Sequence, residues 1–389
     1  MEEQRVRERK RQRGRLPGWA KILLTVFITL AVSTGLWCLA LGSSGLALVE
    51  TYLLGRFAFV DAQADLDGAV DQALAAFVDG LGDRWSYYLD AESYKATNER
   101  RANNYVGVGV TVNYTREEGL LVQSVTEGGP AEQAGIVAGD IITAVDGVSI
   151  AGENRTQGTD LILGEAGTQV TLTLLGEDGA SREAVCTRAT LRNPSAHGKM
   201  LEGNIGYVKL DNFYSGAADS FVREVDALVE QGAAALIVDV RSDPGGCVTE
   251  LEKILDYLLP EGPVFTHSPR WWFTSVTQSD EGCVDLPMAA LVNGGTYSAA
   301  ELLAAQLRES VDAPIVGEVT SGKGYSQVTF PLPNGGGVGL STATYCTGSG
   351  HSLIGEGIIP DVALALNEGA VLGGEDDNQL QAAVELLTE

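Results

Sequence analysis

The sequence predicts an α/β core, a mixed sheet with helices, that follows a small β-rich domain, an N-terminal helical region and one transmembrane helix. Three observations carry that reading. A continuous apolar run fills residues 22–41; β-rich runs broken by glycine turns fill residues 105–190; and from residue 203 apolar strands alternate with helix-period segments.

At 389 residues the chain is long enough for two or three domains, each able to bury its own core. Hydrophobic residues make up 44% and charged residues 20%, which describes an ordered globular chain rather than a disordered one. The formal net charge is −26. Binding to DNA or RNA requires Lys and Arg to neutralise phosphates, so this balance excludes nucleic acid as a main partner.

Positive charge is concentrated at the start, where Arg5, Arg7, Arg9, Lys10, Arg11, Arg13, Arg15 and Lys21 precede the apolar run. The run approaches the ~20 residues that a helix needs to cross the hydrocarbon of a bilayer. Its basic flank belongs in the cytoplasm. Residues 1–21 therefore read as a basic cytoplasmic segment and 22–41 as a single-pass anchor. The acidic remainder then lies outside the cell membrane, where its charge serves solubility. The stretch Leu41-Gly-Ser-Ser-Gly leaves a cleaved signal peptide open. Of the five cysteines, Cys38 falls in the span; Cys186, Cys247, Cys283 and Cys346 show no metal-ligand spacing, and no metal or cofactor is expected. Four external thiols permit two disulfides or remain as buried free thiols.

Residues 43–104 carry Val70, Leu74, Phe77, Val78 and Leu81 at helical spacing, the N-terminal helical region. Residues 105–190 hold runs such as Val106-Gly-Val-Gly-Val110 and Leu120-Leu-Val-Gln-Ser-Val125, the small β domain. Across 191–365, strands at 205–210, 234–240, 289–292 and 314–319 alternate with helices at 216–231, 248–259 and 298–309, which is the α/β core. Residues 366–389 form a C-terminal tail with a helix at 379–387.

Three segments of the core carry chemistry. Asn293-Gly-Gly-Thr-Tyr-Ser298-Ala-Ala-Glu301 follows a strand and opens a helix, so Ser298 projects where helix amides can receive a developing oxyanion. The same Ser-x-x-Glu spacing also fits a capping box. Ser321-Gly-Lys323-Gly-Tyr-Ser-Gln327 encloses one of seven lysines between glycines. A lysine becomes a base near neutral pH only in a dry site; an exposed turn lysine is the alternative. Asp239-Val-Arg-Ser-Asp-Pro-Gly-Gly246 ends a strand on paired glycines, which suits either a simple turn or an oxyanion hole from Gly245 or Gly246 with the amide of Ala299. His197 and His267 fall in segments that read as loops and His351 in a turn, so a Ser-His-Asp mechanism lacks support.

Together these three segments resemble the C-terminal processing peptidases, the tail-specific S41 serine proteases. Gly339-Leu-Ser-Thr-Ala-Thr-Tyr345, Gly355-Glu-Gly-Ile-Ile-Pro-Asp361 and Gly82-Asp-Arg-Trp-Ser-Tyr-Tyr-Leu-Asp90 extend the resemblance over roughly residues 65 to 365. It implies a serine endopeptidase in which Ser298 attacks the peptide carbonyl, Lys323 accepts its proton and Gln327 orients the lysine. A neutral amide can hold an amine without raising its pKa, whereas a carboxylate would raise it.

The β domain resembles a PDZ domain. That resemblance implies that Val106, Gly107, Val108, Gly109 and Val110 form a loop for the terminal carboxylate of a protein or peptide substrate, with Pro130-Ala-Glu-Gln-Ala-Gly135 as a short helix. The substrate tail would add as a strand beside residues 108–112, closed by a helix near 156–163. Three departures stand out. Thr296 and Tyr297 precede the nucleophile where relatives often have small residues; Leu163 occupies a place where some relatives have arginine; and Cys247 follows the two glycines, where its thiol invites oxidation. A catalytically silent PDZ scaffold is the alternative, and the helical ends leave room for a homodimer.

Overall fold

The computed structural model describes residues 18–61, 63–176 and 178–388. The basic residues Arg5 to Arg15 lie outside the described residues. The chain divides into two compact units, residues 1–77 and 78–389.

In the first unit the apolar run is part of a longer helix, Gly18–Ala58, interrupted at Gly42, whose φ of 61° and ψ of −174° are not helical. The stretch Ile22–Ala58 is long and apolar enough to cross a membrane. It extends well beyond residue 41 because residues 46–54, from Leu46 through Leu54, stay largely apolar. A second helix, Leu66–Asp79, sets Val70, Leu74 and Val78 along one face at four-residue spacing.

The second unit begins with the strand Tyr87–Leu89 in a region expected to be helical. The strand forms because Tyr87 pairs with Gly339, where a side chain would meet the Tyr87 ring at 2.3 Å. The helix Ala91–Ala102 follows, capped by Asp90, whose carboxylate accepts the Ser93 amide at 2.7 Å. It stops at Asn103, in the left-handed region at φ 55°.

The β domain is an antiparallel sheet in the order Val110–Arg116, Gly119–Val125, Ile141–Val145, Gln169–Leu175, Ser181–Thr187. Its core contains Val108, Leu120, Val122, Ile142, Ile150 and Leu172. The run 106–110 is not a single strand. Asn104–Gly107 pairs with Ala189–Arg192, Gly109 turns the chain at φ 85°, and Val110 opens the edge strand.

The core of the unit is a six-stranded sheet in the order Ala196–Leu201, Ile205–Leu210, Ala235–Asp239, Met288–Val292, Ile315–Gly317, Val362–Ala363; the first pair is antiparallel and the rest parallel. Both faces are covered, which is why the central strands read as unbroken apolar runs. Val208, Leu236, Val238, Ala290 and Val292 meet the helices Ala217–Glu230, Val248–Leu258 and Ala299–Val311. Tyr207, Ile237, Ala289 and Leu291 meet Leu380 and Ala383 of the C-terminal helix Asn378–Thr388. A separate antiparallel sheet joins Tyr87–Leu89, Tyr325–Pro331, Gly337–Thr347, Gly262–Pro269 and Ser275–Ser279. His197 and His267, read as loop residues, therefore lie in strands. The five cysteines are unpaired; of the external four only Cys186 is buried, so free thiols hold but burial of all of them does not.

Candidate active site

Ser298 stands between the strand Met288–Val292 and the helix Ala299–Val311 at φ 64° and ψ −123°. A non-glycine residue there is strained, and the strain persists only where neighbours over-determine it. Just upstream, the buried Thr296 donates its hydroxyl to the Val240 carbonyl at 2.7 Å and accepts the Asn293 amide at 3.0 Å. The Tyr297 amide donates to the Asp243 carbonyl at 3.1 Å. The Ser298 amide donates to Glu301 Oε2 at 2.9 Å.

Glu301 thus caps the helix, as the spacing suggested, but it also does more. Fully buried, it accepts the Thr320 hydroxyl at 2.5 Å, the Gly322 amide at 2.8 Å and the Lys323 amide at 3.0 Å. The lysine loop rests in turn on the segment 353–358, where the Ile358 amide donates to Thr320 Oγ1 at 2.7 Å and the Gly355 amide to the Gly322 carbonyl at 3.0 Å. This contact requires the flanking glycines. A Cβ on Gly324 would stand 2.4 Å from Ile354 Cγ1, and Gly322 is at φ 75°.

The half-buried Lys323 holds its ammonium 5.2 Å from the Trp85 ring centroid, and the Trp85 ring lies 6.4 Å from that of Tyr297. Burial, followed by the charge of Arg101, lowers the Lys323 pKa to about 8, while Glu301 and Asp83 pull the other way. The Tyr345 hydroxyl donates to the Lys323 carbonyl. Burial pushes the Tyr345 pKa up, and Ser298 offsets part of that rise. Gln327 sits at a bulge in its strand and donates its amide to the Tyr325 carbonyl at 3.0 Å and to Ser341 Oγ at 3.1 Å. Among the described residues no hydrogen bond joins Lys323 Nζ to Gln327 or to Ser298.

The paired glycines pack directly against Ser298 and its surroundings. A Cβ on Gly245, which is at φ 77°, would lie 2.9 Å from both Ser298 Cβ and the Ala299 nitrogen; one on Gly246 would lie 2.3 Å from the Phe213 carbonyl oxygen. The two amides are not equivalent. Gly245 donates to Asp243 Oδ1 at 2.7 Å, whereas the Gly246 amide has no partner among the described residues. Ala299 occupies the first helical position, whose amide has no intrahelical acceptor. Asp243 is itself fully buried with Oδ2 unpartnered, and burial pushes its pKa well above the usual carboxylate range.

A cavity of about 400 Å³ brings Ser298, Lys323, Gln327, Gly245, Gly246 and Ala299 together on its wall. Arg101, His267 and Tyr345 line it as well. Trp85 and Tyr345 each stood in a motif without a role attached, and Glu301 only as a helix cap; Arg101 carried no sequence signal, because its helix is polar all round.

In the β domain the loop residues Gly107, Val108 and Gly109 are buried, and the carbonyls of Val108 and Gly109 accept the amides of Ala131 and Thr126, both at 2.8 Å. Val106 lies in the two-stranded ribbon and Val110 in the edge strand. The helix Arg155–Ile162 faces that strand: Tyr114 OH lies 2.8 Å from Thr159 Oγ1, and Arg155 Nη1 donates to the carbonyls of Tyr114 and Arg116 at 2.8 Å each. At the other end of the helix the buried Arg188 donates to the carbonyls of Leu161 and Ile162 at 2.9 and 2.8 Å. A guanidinium therefore does stand beside Gly164, supplied by residue 188 rather than by 163.

The profile of Peptidase family S41 matches residues 204–364, the span that contains every one of the cavity's catalytic candidates, and a PDZ domain profile matches residues 121–175. The carboxy-terminal processing protease CtpA of Bacillus subtilis is 31% identical over 312 residues, 80% of this chain and 67% of the relative. The chain belongs to peptidase family S41. A carboxyl-terminal-processing protease of a Picosynechococcus species is 32% identical over 79% of this chain and 77% of its own length. A solved structure of a photosystem II D1 C-terminal processing protease is 26% identical, with a TM-score of 0.48 over 90% of this chain and 98% of that one. This S41 protease is thus a C-terminal processing serine protease with a PDZ domain.

Proposed function

We propose that this S41 protease cleaves with a Ser298–Lys323 dyad. Neutral Lys323 takes the proton of Ser298 Oγ as that oxygen attacks the scissile carbonyl carbon. The carbonyl oxygen gains the negative charge and is met by the amides of Gly246 and Ala299, with Gly245 supplying the close approach rather than a donor. The lysine then returns the proton to the leaving amine, and water hydrolyses the acyl-enzyme by the same route. Gln327 orients the amine through its carboxamide oxygen, its amide nitrogen being held by the Tyr325 carbonyl and Ser341 Oγ. The single observation that supports this best is the half-buried amine of Lys323, lowered to a pKa of about 8, in one cavity with a strained serine, the backbone amides of both residues being held by the Glu301 carboxylate.

The PDZ domain selects substrates by their C-termini. The tail adds as a strand beside residues 108–112, short of the Tyr114 and Arg116 carbonyls that Arg155 occupies, and the loop Val106, Gly107, Val108, Gly109, Val110 takes its carboxylate. The helix Ile22–Ala58 anchors the enzyme, with the catalytic unit outside the cytoplasmic membrane.

The test is cleavage of an unfolded reporter with an apolar C-terminal tail by the detergent-solubilised chain, beside Ser298→Ala, Lys323→Ala and His267→Ala. Activity in the parent and in His267→Ala, with none in the other two, is expected. Activity that survives in Lys323→Ala and disappears in His267→Ala would move the base to the histidine on the cavity wall. A silent parent that still binds the tail would favour the scaffold.

A further inference from the structure

The chain carries 52 acidic against 26 basic residues, yet among the described residues no Asp or Glu lines the catalytic cavity. Arg101 and Lys323 do, together with His267. On such a wall, in so acidic a molecule, the fixed positive charge of Arg101 favours an anionic group on whatever enters.

Arg101 is the member with donors to spare. It lies one residue from the end of the helix Ala91–Ala102, and its backbone carbonyl accepts the Ser215 amide at 3.2 Å, which fixes its position. Its guanidinium donates to Tyr87 OH at 2.9 Å and to Thr329 Oγ1 at 3.3 Å. Both acceptors are neutral hydroxyls. No carboxylate pairs with Arg101 among the described residues, whereas Arg182, Arg192, Arg223, Arg241 and Arg308 each have one. A guanidinium offers five N–H groups in a fork that matches a carboxylate, and two bonds leave the fork oriented but unsatisfied. Its field reaches Lys323 on one side of the cavity and Cys247, next to the Gly246 amide, on the other.

From this geometry we infer that Arg101 is a carboxylate-binding residue of the catalytic cavity itself, separate from the PDZ domain, and that it favours cleavage a few residues from a substrate's free C-terminus. The inference rests on the proposed protease reading. The ligand is the α-carboxylate of the short fragment being released; an acidic side chain at the same distance from the scissile bond has the same chemistry. Binding has an electrostatic consequence. Arg101 depresses the Lys323 pKa, so a bound carboxylate cancels part of that effect, while Glu301 and Asp83 keep raising it and His267 shares the wall. Carboxylate-ended substrates then need a higher pH for the same fraction of neutral lysine.

The experiment compares three peptides of one sequence cleaved by the full chain in detergent: a free C-terminal acid, its amide, and the amide with a glutamate at the terminal position. Rates are taken on the alkaline plateau of each protein's own pH profile, in the parent and in Arg101→Gln. The parent is expected to cleave the acid about 10-fold or more faster than the amide in kcat/KM, in line with a charge-assisted bond of ~1.5–3 kcal/mol. Arg101→Gln should lower that ratio several-fold, to the preference that the PDZ loop alone supplies, with the acid losing more than the amide. A glutamate peptide that recovers the rate means that any carboxylate serves; one that does not means that the α-carboxylate is read. Equal loss of all three peptides in Arg101→Gln, or an unchanged acid-to-amide ratio, overturns the inference. If the parent cleaves nothing, the protease reading fails instead, and titration of Ser298→Ala with the acid and amide peptides, with and without Arg101→Gln, decides the subsite: an acid preference that Arg101→Gln leaves intact overturns it.

Discussion

One oxygen of Glu301, Oε2, accepts the amide of Ser298 at 2.9 Å and the amide of Lys323 at 3.0 Å. The nucleophile turn and the lysine loop, 25 positions apart in the chain, are thus referenced to a single buried atom.

Glu301→Gln replaces an acceptor oxygen by a donor that faces the same amides. Mispositioning of catalytic groups by about 1 Å costs ~100-fold in rate, and a loss of that order in kcat/KM is expected. Leaving buried amides unpartnered costs ~1–3 kcal/mol each, so the midpoint of urea unfolding should also fall. Activity within a few fold of the parent would show that the shared oxygen does not set the dyad geometry.

The pH dependence follows from Lys323. The reactive form is the neutral amine, so kcat/KM for an amide-ended peptide should rise with pH through an apparent pKa of about 8 and then level off. Trp85→Ala admits water to the amine and should move the limb to higher pH, because burial is the largest cause of the depression. A limb that stays in place would assign the shift to Arg101 alone.

Asp243 is buried with one oxygen unpartnered and has a raised pKa. An acid whose folded pKa exceeds its unfolded value lends stability that is fully present below the unfolded pKa and is lost as pH rises. Asp243→Asn keeps an acceptor for the Gly245 amide and cannot ionise. The variant should therefore match the parent in acid and exceed it in stability at alkaline pH, measured as urea midpoints across the range. A variant less stable at every pH would contradict the neutral-acid assignment.

At the far edge of the same strand end, Arg241 is fully buried and bonds Asp239 and Asp377, each at 2.6 Å, fastening the start of the C-terminal helix. Asp377→Ala leaves a buried guanidinium half-paired and should destabilise the protein by ~3–5 kcal/mol. Burial is the largest influence on Asp377 and opposes its ionisation, but the hydrogen bonds from Arg241, Gly373 and Leu380 and the charge of Arg241 together outweigh it and hold the pKa low. Its contribution is therefore present above the unfolded carboxylate pKa and lost as pH falls, so the deficit of the variant should shrink in acid. A deficit independent of pH would contradict this.

Periodicity was sufficient for the core because parallel strands buried on both faces read as unbroken apolar runs, as in Met288–Val292 and in Ala235–Asp239 up to its terminal aspartate. It failed at Tyr87–Leu89, whose strand character comes from Gly339 more than two hundred residues away. The serine and the lysine were legible because each needs glycines or a helix start around it. The inequivalence of the Gly245 and Gly246 amides was not, since it depends on a hydrogen bond from a glycine to Asp243 that the Asp-Pro-Gly-Gly motif permits without requiring. Arg101 left no trace in sequence because its role comes from where its helix ends.

The most direct test of the dyad is the rate at which a fluorophosphonate labels Ser298, followed by intact mass across pH in the parent, Lys323→Ala and His267→Ala. The account predicts labelling that rises through an apparent pKa of about 8 in the parent and in His267→Ala and is abolished in Lys323→Ala. Labelling of Lys323→Ala at the parent's rate would contradict it.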